Sequence, residues 1–191
     1  MHPDILDEIN LCSKMLTQGK IILYPTDTIW GIGCDATNEE AVKKIFTLKQ
    51  REDSKSMIIL LAEINEITNY VTTLYGEILN YLSNATQPTT VIYEGGKNVA
   101  KTLINNDGTI AIRIVEDEFC KILINKTGKP LVSTSANISG EPSPANFSEI
   151  SAEIKNGVDY VVQHRQGDFK AAKPSVIIKM NDEGEIITIR S

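Results

Sequence analysis

The chain has 191 residues, of which 41% are hydrophobic and 23% are charged. These values are typical of a globular domain, so they exclude a disordered or collagen-like chain, and this length can bury a core without disulfides. The formal net charge of −6 argues against a broad nucleic-acid-binding face.

The first half of the chain alternates between helical and extended patterns. Apolar residues at helical spacing predict helices at residues 4–18, 38–48 and 63–83. The last of these has a break near residues 72–73. Short apolar runs predict buried strands at residues 21–24 and 57–61. Polar and glycine-rich turns are predicted at 26–28 and 31–33.

The second half continues the alternation. The predicted strands are residues 90–93, 109–114, 131–133, 158–162, 175–179 and 186–189. A helix is predicted over 117–127, closed by Gly128, and Asn146 with Glu149 predicts a capping box for a short helix. A long polar loop is expected from residue 134 to 144. Interleaved strands and helices without a dividing linker predict a single α/β domain over residues 1–191, built on a mixed sheet.

Cysteine and histidine usage gives no sign of a disulfide framework or a metal site. Cys12, Cys34 and Cys120 are widely spaced and odd in number, so reduced thiols are expected. His2 and His164 lie far from any cysteine pair, so no structural metal is expected. The chain has no apolar run of about 20 residues and no basic signal-peptide segment at its start. We therefore expect a cytoplasmic protein that does not contact membranes.

Three polar clusters follow predicted strands or helices. Residues 26–28 come after the strand 21–24 and suit either a ligand site or a turn that bonds its own backbone. Lys49 and Arg51, at the end of the second helix, could clamp a phosphate or complement the helix dipole. The hydroxyls and N–H groups of the loop 134–144 suit phosphate oxygens, although a solvent-exposed loop has the same composition.

Three further residues stand at strand ends. Arg113 ends an apolar strand, where a buried arginine needs an anion or a carbonyl partner. Ser175 and Arg190 could be ordinary surface residues. The chain lacks a P-loop, a complete dinucleotide-binding glycine motif and a GxSxG nucleophile elbow. The remaining cations, hydroxyls and backbone amides suit charge stabilisation around a phosphoryl or nucleotidyl group.

The segments PTDTIWGIGCDA, KQR, TIAIRI and LVSTSANISGEPSP occur in this order along the chain. Together they resemble the YrdC/Sua5 family of threonylcarbamoyl-AMP synthases, in its short single-domain form. The resemblance implies a YrdC-like α/β fold, a twisted mixed sheet flanked by helices with a large concave cavity. It also implies that L-threonine, bicarbonate and ATP form threonylcarbamoyl-AMP and pyrophosphate, for modification of adenosine 37 in tRNAs that read ANN codons.

The resemblance also implies roles for individual residues. The four implied to be catalytic are Lys49, Arg51, Ser135 and Asn137. Those implied to bind ATP are Lys49, Arg51, Thr109, Ser133, Ser135, Ser143 and Arg190. Those implied to bind threonine are Thr26, Arg113 and Ser175. Mg²⁺ would enter with ATP.

Two alternative functions remain open. A related domain occurs in carbamoyl-adenylate-forming enzymes of hydrogenase maturation, although their zinc-finger-like and acylphosphatase-like segments are missing here. The other alternative is a YrdC-like module that only binds RNA, against which the net charge of −6 counts. The expected partners are ATP, L-threonine, bicarbonate and a downstream threonylcarbamoyl-transfer complex, with at most weak contact to tRNA.

Overall fold

The structure, a computed structural model, describes residues 3–50, 57–169 and 172–191. Its helices are α1 (Pro3–Thr17), α2 (Glu39–Leu48), α3 (Gly76–Asn84), α4 (Glu118–Thr127) and α5 (Ala152–Gly157), with 3₁₀ turns at Ile64–Asn69, Lys101–Leu103 and Phe147–Glu149. Its strands are β1 (Ile22–Tyr24), β2 (Gly31–Gly33), β3 (Ile58–Leu61), β4 (Thr89–Tyr93), β5 (Ile110–Ile114), β6 (Leu131–Ser135), β7 (Tyr160–Val161), β8 (Val176–Met180) and β9 (Ile186–Arg190).

Local capping chemistry places the helix ends close to where the sequence predicts them. The Asn38 side chain accepts a hydrogen bond from the backbone of Ala41 and starts α2. Asp117 starts α4 in the same way, and Gly128 ends it in the left-handed conformation, at φ 66°. The predicted capping box is formed only in part, because Asn146 caps the turn at Phe147–Glu149 while Glu149 bonds the Ala145 backbone.

The nine described strands form one mixed sheet in the order β7-β1-β2-β6-β3-β5-β4-β8-β9. The sheet contains parallel pairs, such as β3 with β5, and antiparallel pairs, such as β4 with β5. The prediction of a mixed α/β sheet is therefore confirmed.

Strand register divides the sheet into two chemically different faces. Ile59, Ile112, Val91 and Ile178 are paired across four neighbouring strands, and none is more than 1% exposed. They belong to the apolar core. The opposite face carries the row Leu60, Arg113, Thr90, Ile177 and Arg190, because alternate residues of a strand point to opposite sides. Polar and charged groups are thus gathered on one face by pairing register.

One strand differs from the prediction. Residues 31–33 were predicted as a turn and form β2, while β6 runs on to Ser135 instead of ending at Ser133. The two differences have one cause, since Gly31 pairs with Ser135 and Ile32 pairs with Thr134. Each segment is extended because the other is present, and that long-range pairing leaves no local pattern. The short helix α5 was not predicted either.

Within the described parts of the chain, no helix combines the length and apolar character needed to cross a bilayer.

Candidate active site

A cavity of about 200 Å³ opens on the polar face of the sheet. Its lining comes from segments far apart in the chain and includes Thr28, Trp30, Gly31, Arg113, Ser133, Ser135, Ser143, Ser175 and Arg190. Six of these residues were predicted to be site residues: Arg113, Ser133, Ser135, Ser143, Ser175 and Arg190. The fold brings them to one place.

Arg113 is the central cation of this cavity. Its side chain is only 2% exposed, and its Nη1 donates a hydrogen bond of 2.8 Å to Thr28 Oγ1. Nη2 lies 3.0 Å from Asp27 Oδ1 in an ion pair that lacks hydrogen-bond geometry. Neither Nε nor Nη2 has a hydrogen-bond acceptor in the described structure. A buried guanidinium with unmade donors at a cavity wall favours an anionic ligand.

The turn at residues 26–29 presents Thr28 to the cavity and keeps Thr26 out of it. Thr26 Oγ1 donates to the Ile29 carbonyl at 2.8 Å, accepts the Thr28 amide at 3.0 Å and lies 3.0 Å from Thr28 Oγ1. Thr26 is 1% exposed and does not line the cavity. The residue predicted to contact threonine therefore shapes the turn, and Thr28, a member of the predicted cluster 26–28 with no individual role assigned, lies at the wall.

Lys49 is buried beneath the loop that follows β6. Its side chain is 1% exposed, and Nζ donates to the carbonyl oxygens of Ser135 and Asn137, each at 2.5 Å. The backbone adds a bond from Ser139 N to Lys49 O. Lys49 therefore holds this loop in place and is not part of the cavity lining. Arg51, its predicted partner in a phosphate clamp, lies outside the described residues, as does the loop 52–56.

Asn137 likewise supports the loop. Its Nδ2 donates to the carbonyl oxygens of Ile138 and Glu141, both at 2.8 Å, while Oδ1 is buried without a hydrogen-bond donor. Asn137 lines a neighbouring cavity of about 230 Å³, whose lining shares Ser143 with that of the main cavity. Of the predicted pair, Ser135 therefore lines the main cavity and Asn137 lines its neighbour.

Ser175 and Arg190 close the side of the cavity formed by β8 and β9. Ser175 is 3% exposed, its Oγ lies 2.7 Å from Thr90 Oγ1, and its carbonyl accepts Arg190 Nη2 at 2.7 Å. Partial burial and the positive charge of Arg113 lower the pKa of Arg190 from its usual 12.5. Arg113 and Arg190 therefore place two guanidinium groups in the lining of one cavity.

Thr109 is separated from the other predicted residues. It precedes β5, at the end of the strand away from Arg113, and its hydroxyl donates to Asp107 Oδ1 at 2.7 Å. It does not line the cavity. The sequence places Thr109 and Arg113 four residues apart, but an extended strand separates them by about 13 Å.

Trp30, the single tryptophan of the chain, is a lining residue that sequence analysis did not select. It is 7% exposed, and its ring packs at 4.8 Å from the Phe147 ring. A Cβ on its neighbour Gly31 would lie 3.0 Å from Ser133 Oγ, a tighter contact than most side chains make. Gly31 and Gly33, which follow this tryptophan in the sequence, were the pattern that could have predicted close packing at the site.

The described residues contain no cluster of three or more His, Cys, Asp or Glu side chains suited to a metal ion. The described lining of the main cavity carries hydroxyls and guanidinium groups but no carboxylate. This set fits a metal that is held through the phosphates of a nucleotide.

Residues 14–191 match the family model Sua5_yciO_yrdC, described as telomere recombination. The chain therefore belongs to the Sua5/YciO/YrdC family. A relative from Methanocaldococcus jannaschii is 36% identical over 95% of this chain and 84% of its own length. A protein of Idiomarina loihiensis, named threonylcarbamoyl-AMP synthase, is 34% identical over 83% of this chain and 86% of its own length.

The solved structure of P. abyssi Sua5 with L-threonine superposes with a TM-score of 0.84 at 24% identity. The match covers 95% of this chain and 53% of that protein, so the chain spans about half its length. At this identity the similarity establishes the fold, and the predicted YrdC-like architecture is confirmed.

Proposed function

We propose that this protein is an L-threonylcarbamoyladenylate synthase, which forms threonylcarbamoyl-AMP and pyrophosphate from L-threonine, bicarbonate and ATP. The observation that carries the proposal is buried Arg113, whose unmade donors share one cavity lining with the hydroxyls of Ser133 and Ser135 and the Arg190 guanidinium. Such a site suits carboxylate and phosphate oxygens. The names of curated relatives at 32–34% identity support the same activity.

The amino acid occupies the part of the cavity beside Arg113. The Arg113 guanidinium pairs with the threonine carboxylate, and the Thr28 and Ser175 hydroxyls bond the remaining polar groups of the substrate. A space of about 200 Å³ suits an amino acid better than a whole nucleotide, since small-molecule sites are usually about 300–1,000 Å³.

The nucleotide enters from the loop after β6. The hydroxyls of Ser133, Ser135 and Ser143 and the Arg190 guanidinium bond its phosphates. Lys49 acts on this end by holding the Ser135 and Asn137 carbonyls, and we keep the prediction that Lys49 and Arg51 also offset phosphate charge.

The reaction proceeds in two steps. Bicarbonate takes up a proton and releases water to give CO₂. The deprotonated threonine amine then attacks the carbon of CO₂ and loses one proton to solvent, which forms N-carboxythreonine. An oxygen of this new carboxylate then bonds to the α-phosphorus of ATP, and the bond from that phosphorus to pyrophosphate breaks. Mg²⁺, bound to ATP as part of the substrate, neutralises phosphate charge. The chain orients both substrates and stabilises the developing oxygen charge, effects that can contribute several kcal/mol. The product would be consumed by a threonylcarbamoyl-transfer system acting on tRNA.

The proposal is tested by pyrophosphate release and by mass spectrometry of the acyl-adenylate. We expect pyrophosphate to form only when threonine, bicarbonate and Mg-ATP are all present. Ser133→Ala and Ser135→Ala should each lower kcat/KM by about tenfold, since each removes one bond to a charged group. Lys43→Gln is the matched control, because the Lys43 ion pair with Glu40 lies on the exposed surface of α2.

Three results would contradict the proposal. The first is pyrophosphate release that does not depend on threonine. The second is replacement of threonine by carbamoyl phosphate as the required substrate, which would favour the carbamoyl-adenylate reaction. The third is tight, steeply salt-dependent RNA binding without binding of ATP or threonine, which would favour the RNA-binding module.

A further inference from the structure

Arg165 occupies a backbone conformation that side chains disfavour. Its φ is +65°, in the left-handed region that glycine adopts most readily. The surrounding turn is anchored to α1, because the Glu8 carboxylate accepts the amides of Gln163 and His164 at 2.5 and 3.0 Å. The Asp168 amide closes the turn on the Arg165 carbonyl at 3.0 Å. Strained backbone conformations that the surrounding hydrogen bonds enforce are typical of residues whose side chains have a functional role.

The Arg165 side chain joins α4 to the turn at residues 26–29. Its Nη1 donates to Asp117 Oδ2 at 2.5 Å, and its Nη2 donates to the Thr26 carbonyl at 2.9 Å. Asp117 is itself fixed, since its other oxygen caps α4 through the Cys120 amide at 3.0 Å. One planar fork thus ties the Thr26 peptide group to an anchored carboxylate.

The same turn is held from the cavity side by Arg113. Arg113 bonds Thr28 Oγ1 and pairs with Asp27, whose other oxygen accepts the Glu116 amide at 2.9 Å. The turn therefore lies between two guanidinium groups. Arg165 bonds the carbonyl that precedes Asp27, and Asp27 is the ion-pair partner of Arg113. Arg165 itself lines a separate cavity of about 470 Å³, which shares Thr28 with the main one.

We infer that Arg165 is a positioning residue for the amino-acid end of the cavity, acting through the turn at residues 26–29. This inference rests on the proposed function, because it assigns that end of the cavity to threonine. The nucleotide contacts at Ser133, Ser135 and Ser143 come from another part of the chain, so loss of Arg165 should affect the two substrates unequally.

The test compares the threonine KM and the ATP KM of three variants. Arg165→Gln removes the charge and the fork, and we expect the threonine KM to rise about tenfold while the ATP KM stays within twofold. Arg165→Gly removes the same contacts and also relieves the left-handed backbone, so we expect the same rise in threonine KM with a smaller loss of thermal stability. Arg165→Lys keeps a charge near Asp117 but cannot span both partners, so its threonine KM should lie between those of wild type and Arg165→Gln.

The outcomes separate this inference from the proposed function. An unchanged threonine KM in both Arg165→Gln and Arg165→Gly, with only thermal stability lowered, would assign Arg165 a purely structural role and overturn the inference. Equal rises in both KM values would also overturn it. A wild-type protein that requires no threonine would overturn the proposed function and this inference together. Lys43→Gln, which removes an exposed cation that pairs with Glu40 on α2, should match wild type in both KM values. If Arg165→Gln does not fold, Arg165→Gly and Arg165→Lys decide.

Discussion

Replacement of Arg113 by Gln should destabilise the fold and abolish turnover for two separable reasons. The ion pair between Arg113 Nη2 and Asp27 Oδ1 spans 3.0 Å, with side chains only 2% and 10% exposed. At an effective dielectric constant of about 20, Coulomb's law gives an attraction of about 5.5 kcal/mol. Breaking a buried pair from one side usually costs about 3–5 kcal/mol, because the other charge stays behind.

The lower end of that range applies here. Arg113 Nε and Nη2 already lack hydrogen-bond acceptors, so the substitution also removes two unsatisfied donors. We expect a loss of about 3 kcal/mol in the free energy of unfolding, which for a chain of this length lowers Tm by about 6–12 °C.

A double variant separates stability from function. Asp27→Asn combined with Arg113→Gln removes both charges, so it should recover most of the lost free energy of unfolding. It should not recover pyrophosphate release, because the cation for the substrate carboxylate is still missing. Urea unfolding can be followed by the fluorescence of Trp30, the single tryptophan, which is 7% exposed. The reasoning is refuted if Arg113→Gln costs less than about 1 kcal/mol, or if the double variant is no more stable than the single one.

Three further predictions concern the stability of the fold. Lys49→Met should lower the free energy of unfolding by about 2–4 kcal/mol in urea titrations, because two carbonyls lose a charged donor. Gly33→Ala should cost about 3 kcal/mol or more, since its Cβ would lie 2.3 Å from the Val132 carbonyl oxygen. Gly76→Ala is the control, because its Cβ would meet no described atom within 4 Å and its φ is not positive. Burial raises the pKa of the Cys12 thiol to about 12, so thiol reagents at pH 8 should label Cys12 only after unfolding. The free energy of unfolding should also decline above about pH 9, because the thiol ionises there in the unfolded chain but not in the folded one.

The helices and most strands could be predicted because their signals are local. Asn38 and Gly128 mark helix ends through contacts within one turn, and the apolar runs of β3 and β5 are buried whichever strand pairs with them. β2 was not predicted, because its three residues are extended only through pairing with β1 and β6. β1 is close in the sequence, but β6 lies about a hundred residues away.

The residue types that form the site could be predicted, but the role of each residue could not. Thr26 and Thr28 are chemically equivalent in the sequence, and only the turn decides that the Thr26 hydroxyl faces the backbone while the Thr28 hydroxyl faces Arg113. Lys49 carried the same ambiguity, and its burial under the loop after β6 shows a supporting role that helix position alone did not reveal.

The amino-acid sequence by itself determined the class of fold, the positions of the helix ends and the set of cations and hydroxyls available for chemistry, because propensity, capping and hydrophobic burial act over a few residues. Only the tertiary structure decided which of those groups share a cavity, since strand register brings together Arg113 and Arg190, which lie 77 positions apart along the chain. Pairing between distant strands depends on backbone hydrogen bonds that every residue except proline can make, and such bonds leave no mark on residue identity.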